Sequence, residues 1–85
     1  MPSLDEAVDS IRTREDFVSF VHHLLEDLRM NPDDWENDTL GSYIDALAAW
    51  VEGMDGFYLN VGEPFPERPD WRTFGQILLA ARIYE

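Results

Sequence analysis

Apolar residues recur at helical spacing along most of the chain. Leu4, Ala7, Val8 and Ile11 open the pattern, behind a Ser3–Glu6 pair that has the form of a capping box. The spacing predicts a short helix over about 4–11. Thr13 with Asp16 repeats the signature, with aspartate in place of glutamate. Phe17, Val21, Leu24 and Leu28 then form one stripe, widened by Val18, Phe20 and Leu25. This predicts an amphipathic helix over about 14–30. Asn31-Pro32 ends it, because the residue before a proline resists the α region. The same pair suits the start of a short helical turn, with Pro32 at its first position.

A longer pattern follows. Leu40, Ile44, Leu47, Val51, Met54 and Tyr58 share one face, and Tyr43, Trp50 and Phe57 sit beside it. A helix over about 39–54 is expected. Gly53 and Gly56 each cost about 1 kcal/mol relative to alanine in a helix interior. They leave Met54–Asn60 as a frayed last turn or a separate short helix. The next stretch, Gly62–Asp70, carries Pro64, Pro66 and Pro69 and reads as a stiff, extended connection. Phe65, between two prolines, is expected to plug the core, or else to stand as an exposed aromatic on a rigid loop. Asp70 then caps a last helix running to about Tyr84. Trp71, Phe74, Ile77, Leu78, Ala81 and Tyr84 cover a broad face of it, so it is expected to be central or at an interface. No period-two run predicts a strand. The fold class is therefore all-α: one small domain over residues 1–85, a bundle of three main helices and one or two short ones.

Composition narrows the picture. The chain has 85 residues, 45% apolar, with eleven aromatics, no cysteine and a net charge of −12. It is too apolar to be a disordered tail, and lacking thiols it has no disulfide, cysteine nucleophile or cysteine zinc site. The charge argues against direct binding of nucleic acid, which needs arginine or lysine stripes. All six cations are arginine, a bias that suggests a bacterial coding sequence. The first residues lack the basic start and apolar core of a signal peptide. The longest apolar run, Ile77–Ala81, falls far short of the roughly 18 residues that span a bilayer. The expected address is the cytoplasm. A core this small, under self-repulsion, predicts a modestly stable monomer or a homodimer.

The charge is concentrated. Glu26, Asp27, Asp33, Asp34, Glu36 and Asp38 face only Arg29, which is net −5 over thirteen residues. Such a run serves solubility and helix capping, or it forms a docking face for a basic partner. Trp35 inside it has the form of an interface anchor, or of a lid on the core. A calcium loop starting at Asp34 would use Asp34, Glu36, Asp38, Ser42 and Asp45, but Thr39 stands where the loop needs glycine. His22 and His23 point about 100° apart on a helix and can reach Glu26 and Asp27. Two such ligands do not complete a metal site. Ser42, Ala46, Ala49, Gly53 and Gly56 form a small-residue stripe suited to close helix packing or to a shallow groove for a partner. Asp55 falls on the apolar side, where it would need a partner such as Arg72 or Arg82. No base, nucleophile or metal set surrounds it.

Four segments carry a resemblance: Thr-Arg-Glu-Asp-Phe at 13–17, Asn-Pro-Asp-Asp-Trp-Glu-Asn at 31–37, Ala-Ala-Trp-Val-Glu-Gly-Met-Asp-Gly-Phe-Tyr at 48–58, and the tail from Trp71 to Glu85. Over residues 13–85 the chain resembles a family of small bacterial proteins of unknown function, which implies no catalytic residues. In architecture alone it is similar to the acidic four-helix immunity proteins that neutralise colicin-type nucleases. Those place paired aromatics, like Phe57-Tyr58 here, before an irregular stretch and a last helix. The expectation is a non-enzymatic interaction module without cofactors, binding a basic protein partner. Its contact face would be Asp33, Asp34, Trp35, Glu36 and Asp38, with Phe57 and Tyr58. The alternatives are a small metal-binding or enzymatic domain using Asp55 or the His22/His23 pair, and a structural adaptor that homodimerises through the last helix.

Overall fold

The computed structural model describes residues 3–84, and its helices begin where the sequence offers caps. Helix α1 (Leu4–Asp9) starts at Ser3, whose hydroxyl accepts from the Glu6 amide. Helix α2 (Arg14–Met30) starts at Thr13, in a full capping box with Asp16. A 3-10 turn occupies Pro32–Asp34. Thr39 caps α3 (Leu40–Val61), and Asp70 caps α4 (Trp71–Ala81). The Asp70 carboxylate takes both the backbone amide and the hydroxyl of Thr73 at 2.8 Å, and these bonds hold its pKa below the usual value. Among the described residues there is no strand, and no helix is long and apolar enough to cross a membrane.

Helix α4 is the centre of the arrangement. Helices α1 and α2 pack on one side of it and α3 packs on the other, and α3 meets no other helix. The core is correspondingly split. Val8, Ile11, Phe20, Leu24 and Trp35 form one cluster, with Leu78 and Leu79 of α4 against it. Trp50, Met54 and Tyr58 form the second, against Ile77 and Ala80. The expected central role of the last helix is met.

Three expectations about α3 need correction. It continues through Gly53 and Gly56 as one helix to Val61, because Met54 and Tyr58 are both buried and hold the second half down. Tyr58 also donates to Gln76 Oε1 at 2.6 Å. The real stop is Gly62, in the left-handed region at φ +74°. The Gly62 and Glu63 amides bond back to Leu59 and Tyr58, the double closure of a Schellman motif. The inward face is also rotated from the expected stripe. Ala46, Trp50, Met54 and Tyr58 face in, while Leu40, Ile44 and Val51 are exposed. With one neighbouring helix, α3 has cover for only part of its circumference. Finally, its glycines do not create close packing: a Cβ on Gly56 would meet open space.

The close approach occurs instead at Gly75 of α4, which is buried. A Cβ there would sit 2.6 Å from Ile11 Cδ1 and 3.1 Å from Val8 Cγ2. Glycine thus lets α4 approach the end of α1. Phe65 does not plug the core. It is 48% exposed, with its ring T-shaped to that of Tyr58 at a centroid distance of 5.9 Å. The peptide bonds of the described residues, Phe65-Pro66 included, are trans.

Two glycine substitutions should therefore act in opposite directions. Gly75→Ala should destabilise the protein by about 1–2 kcal/mol, since overpacking outweighs the helix-propensity gain. Gly56→Ala should stabilise it by up to about 1 kcal/mol. Urea unfolding followed by circular dichroism measures both.

Candidate functional site

The acidic stretch divides into one structural acid and several free ones. Asp27, on α2, has a side chain only 19% exposed. Its Oδ2 accepts the Trp35 indole N–H at 2.8 Å and an Arg82 guanidinium N–H at 3.4 Å. Its Oδ1 accepts the side-chain amide of Asn31 at 3.2 Å. Trp35 is in turn 8% exposed and stacks on Tyr43, with ring centroids 5.8 Å apart. The expected interface anchor is therefore a lid on the core, with its only donor already used. Nor does Asp27 serve His23 as a metal partner.

The same loop closes the end of α4. The last carbonyls of a helix have no partner within it. Here the Tyr43 hydroxyl donates to the Leu78 carbonyl at 2.7 Å. The Asn37 side-chain amide donates to the carbonyls of Ala81 and Tyr84, at 3.0 and 2.7 Å. The Asn37 backbone N–H donates to the Arg82 carbonyl. These bonds end α4 at Ala81, short of the expected Tyr84. Burial pushes the Tyr43 hydroxyl up to about 12 from 10.

Because α3 touches α4 alone, a cleft opens on each side of it. One lies between α3 and α1, with a volume of about 640 Å³, lined by Trp50, Phe57, Gln76, Leu79 and Tyr84. Its polar edge mixes Asp5 and Asp9 with Arg82 and so selects neither sign of charge. The other, of about 380 Å³, lies between α2 and α3. Leu24, Leu28, Trp35, Tyr43 and Leu78 form its apolar interior, and the exposed Val21, Leu25 and Leu40 flank it. Asn37, Asp38 and Thr39 edge this groove. Asp33, Asp34 and Glu36 are exposed on the same connecting segment, and among the described residues none of these four acids has an ion-pair partner.

The expected contact residues are thus only partly brought together. Asp38 lies at the groove edge, and Asp33, Asp34 and Glu36 are exposed on the segment that leads to it. Phe57 is exposed but lies in the other cleft, 17 residues along α3 from Leu40, a distance of roughly 25 Å at 1.5 Å per residue. Tyr58 is 4% exposed and belongs to the core. Asp55 is exposed, because Met54 faces inward and its neighbour points away, and the two arginines expected to pair with it serve others: Arg72 meets Asp9 at 3.2 Å and Arg82 meets Asp27. His22 is exposed and His23 half-buried, and among the described residues no three metal-ligating side chains converge. The calcium-loop frame fails as well, since its second half is the first turn of α3. Sequence reasoning missed Asn37 and the groove. The signal available for the groove was the excess of apolar residues around α3 over what one neighbour covers.

Comparison with known proteins gives a family match over residues 13–85, to a family of unknown function, DUF7660. Neither the curated proteins nor the solved structures contain a match.

Two stability tests follow from this geometry. Asp27→Ala should cost about 2–3 kcal/mol, because it strands the Trp35 N–H and the Arg82 guanidinium, and Asp27→Asn should cost less by keeping one acceptor. Urea titrations of both variants measure this. Tyr43 has a folded pKa of about 12 against 10 unfolded, so its contribution is complete below pH 10 and fades as pH rises toward 12. The fall in unfolding midpoint across that window should be shallower in Tyr43→Phe.

Proposed function

This chain belongs to DUF7660, a family of unknown function, and from that premise we propose that it is a non-enzymatic interaction module for a basic protein partner. The observation that carries the reading is the pairing of charge with apolar surface. Among the described residues Asp33, Asp34, Glu36 and Asp38 have no ion-pair partner, and Asp38 edges a groove whose flanks, Leu25 and Leu40, are open to solvent. Unpaired acids steer a cationic surface toward the edge and set its orientation. Apolar surface supplies the contact that persists once water is expelled. Trp35 and Tyr58 act from beneath, by holding the groove wall and the core in place. An inhibitor that neutralises a basic enzyme is the sharpest form of this reading. The proposed source is bacterial, on the compositional ground of six arginines and no lysine, and the proposed address is the cytoplasm.

The test is capture of basic proteins from a cation-exchange fraction. The native chain should retain partners at low ionic strength and release them as salt screens the acids, over a Debye length of about 8–10 Å. A variant with Asp33→Asn, Asp34→Asn, Glu36→Gln and Asp38→Asn should associate about tenfold more slowly, or not at all, by surface plasmon resonance. Equal capture by the neutralised variant would refute the reading.

A further inference from the structure

The groove between α2 and α3 has the shape of a bundle with one helix left out. Both walls stand on α4, yet their backbones do not approach each other. Each wall carries exposed apolar surface. On α2 this is Val21 and Leu25, and on α3 it is Leu40; Val18 on α2 and Ile44 and Val51 on α3 are exposed as well. Leu40 is 76% exposed and Ile44 56% exposed, although both belong to the longest apolar stripe in the sequence.

The geometry points to an amphipathic basic helix of a partner protein as the occupant of this groove. Its apolar side would insert between the two ridges, over Leu78 and the Trp35–Tyr43 pair, as one helix packs its ridges into the groove of others. Its lysines or arginines would meet Asp38 at the groove edge and Asp33, Asp34 and Glu36 beyond it. The inference rests on the reading of the acidic edge given above and adds the form of the ligand. Charge decides against a second copy. Two chains of net charge −12 would bring like-charged edges together around the apolar contact. An anionic membrane surface is disfavoured for the same reason.

The probe is a synthetic helix-forming peptide of leucine and lysine with the leucines on one face, labelled for fluorescence anisotropy. A peptide of the same composition with its leucines scattered is the control. The native chain should bind the patterned peptide in the micromolar range and the scattered one about tenfold more weakly. Leu25→Glu and Leu40→Glu should each weaken binding about tenfold although they add negative charge, which separates groove contact from simple attraction. Both positions are exposed, so the fold should survive, and Leu25→Ser with unchanged circular dichroism serves as the neutral check.

No binding of the patterned peptide, or equal binding of the scattered one, overturns the inference. Unchanged binding in the leucine variants together with loss in the acid-neutralised variant also overturns it, while sparing the acidic-edge reading. Loss in the leucine variants with no change on neutralising the acids keeps the groove and refutes that edge. Sedimentation showing a dimer that Leu25→Glu dissociates assigns the groove to a second copy and overturns the inference.

Discussion

The exposed end of α4 is the constraint around which this structure is arranged. A central helix cannot finish inside a protein unless its final carbonyls find donors. Here the donors come from one segment between α2 and α3, through Asn37 and, just beyond it, Tyr43. That segment is itself fixed by the indole of Trp35 on Asp27, with Arg82 closing the loop from α4. One carboxylate thus ties three parts of the chain together, and the acidic edge is displayed on the piece of backbone so anchored.

This anchoring explains how one run of acids serves two purposes. Asp27 is turned inward and satisfied by hydrogen bonds, so it belongs to the framework. Asp33, Asp34, Glu36 and Asp38 follow the 3-10 turn or lie within it, and they remain outside. The framework acid sets where the free acids stand, and the groove beside them is open because α3 and α2 both lean on α4 from separate sides. Asp38 therefore stands where surface charge meets uncovered apolar surface.

Local chemistry made much of the fold legible. The caps at Ser3, Thr13 and Asp70 and the limits of α2 follow from hydroxyl and carboxylate side chains acting within a few residues. The breadth of apolar character around α4 announced its central place. What stayed hidden depends on neighbours distant in sequence. Nothing local distinguishes Asp27 from Glu26, and only the arrival of Trp35 and Arg82 does so. Two glycines argued for an early end to α3, yet the burial of Met54 and Tyr58 outweighed their cost. Gly75 drew no notice because a missing side chain leaves no pattern, and its role exists only once Ile11 is beside it. For the candidate site, the acids were readable as a cluster. Trp35 was readable as either an anchor or a lid, since periodicity does not decide between them for a residue in a connecting segment.

Placing α4 at the centre has a kinetic corollary. Helical proteins usually fold fast because partners adjacent in sequence meet first. Here α3 has no helix to dock on except α4, and α1 reaches α4 across a separation of 63 residues, as the Asp9–Arg72 bond shows. The nucleus must therefore close large loops before much apolar area is rewarded. A chain built this way should cross its folding barrier more slowly than an up-and-down bundle of equal length, and its half-formed states carry long unprotected apolar ridges meanwhile.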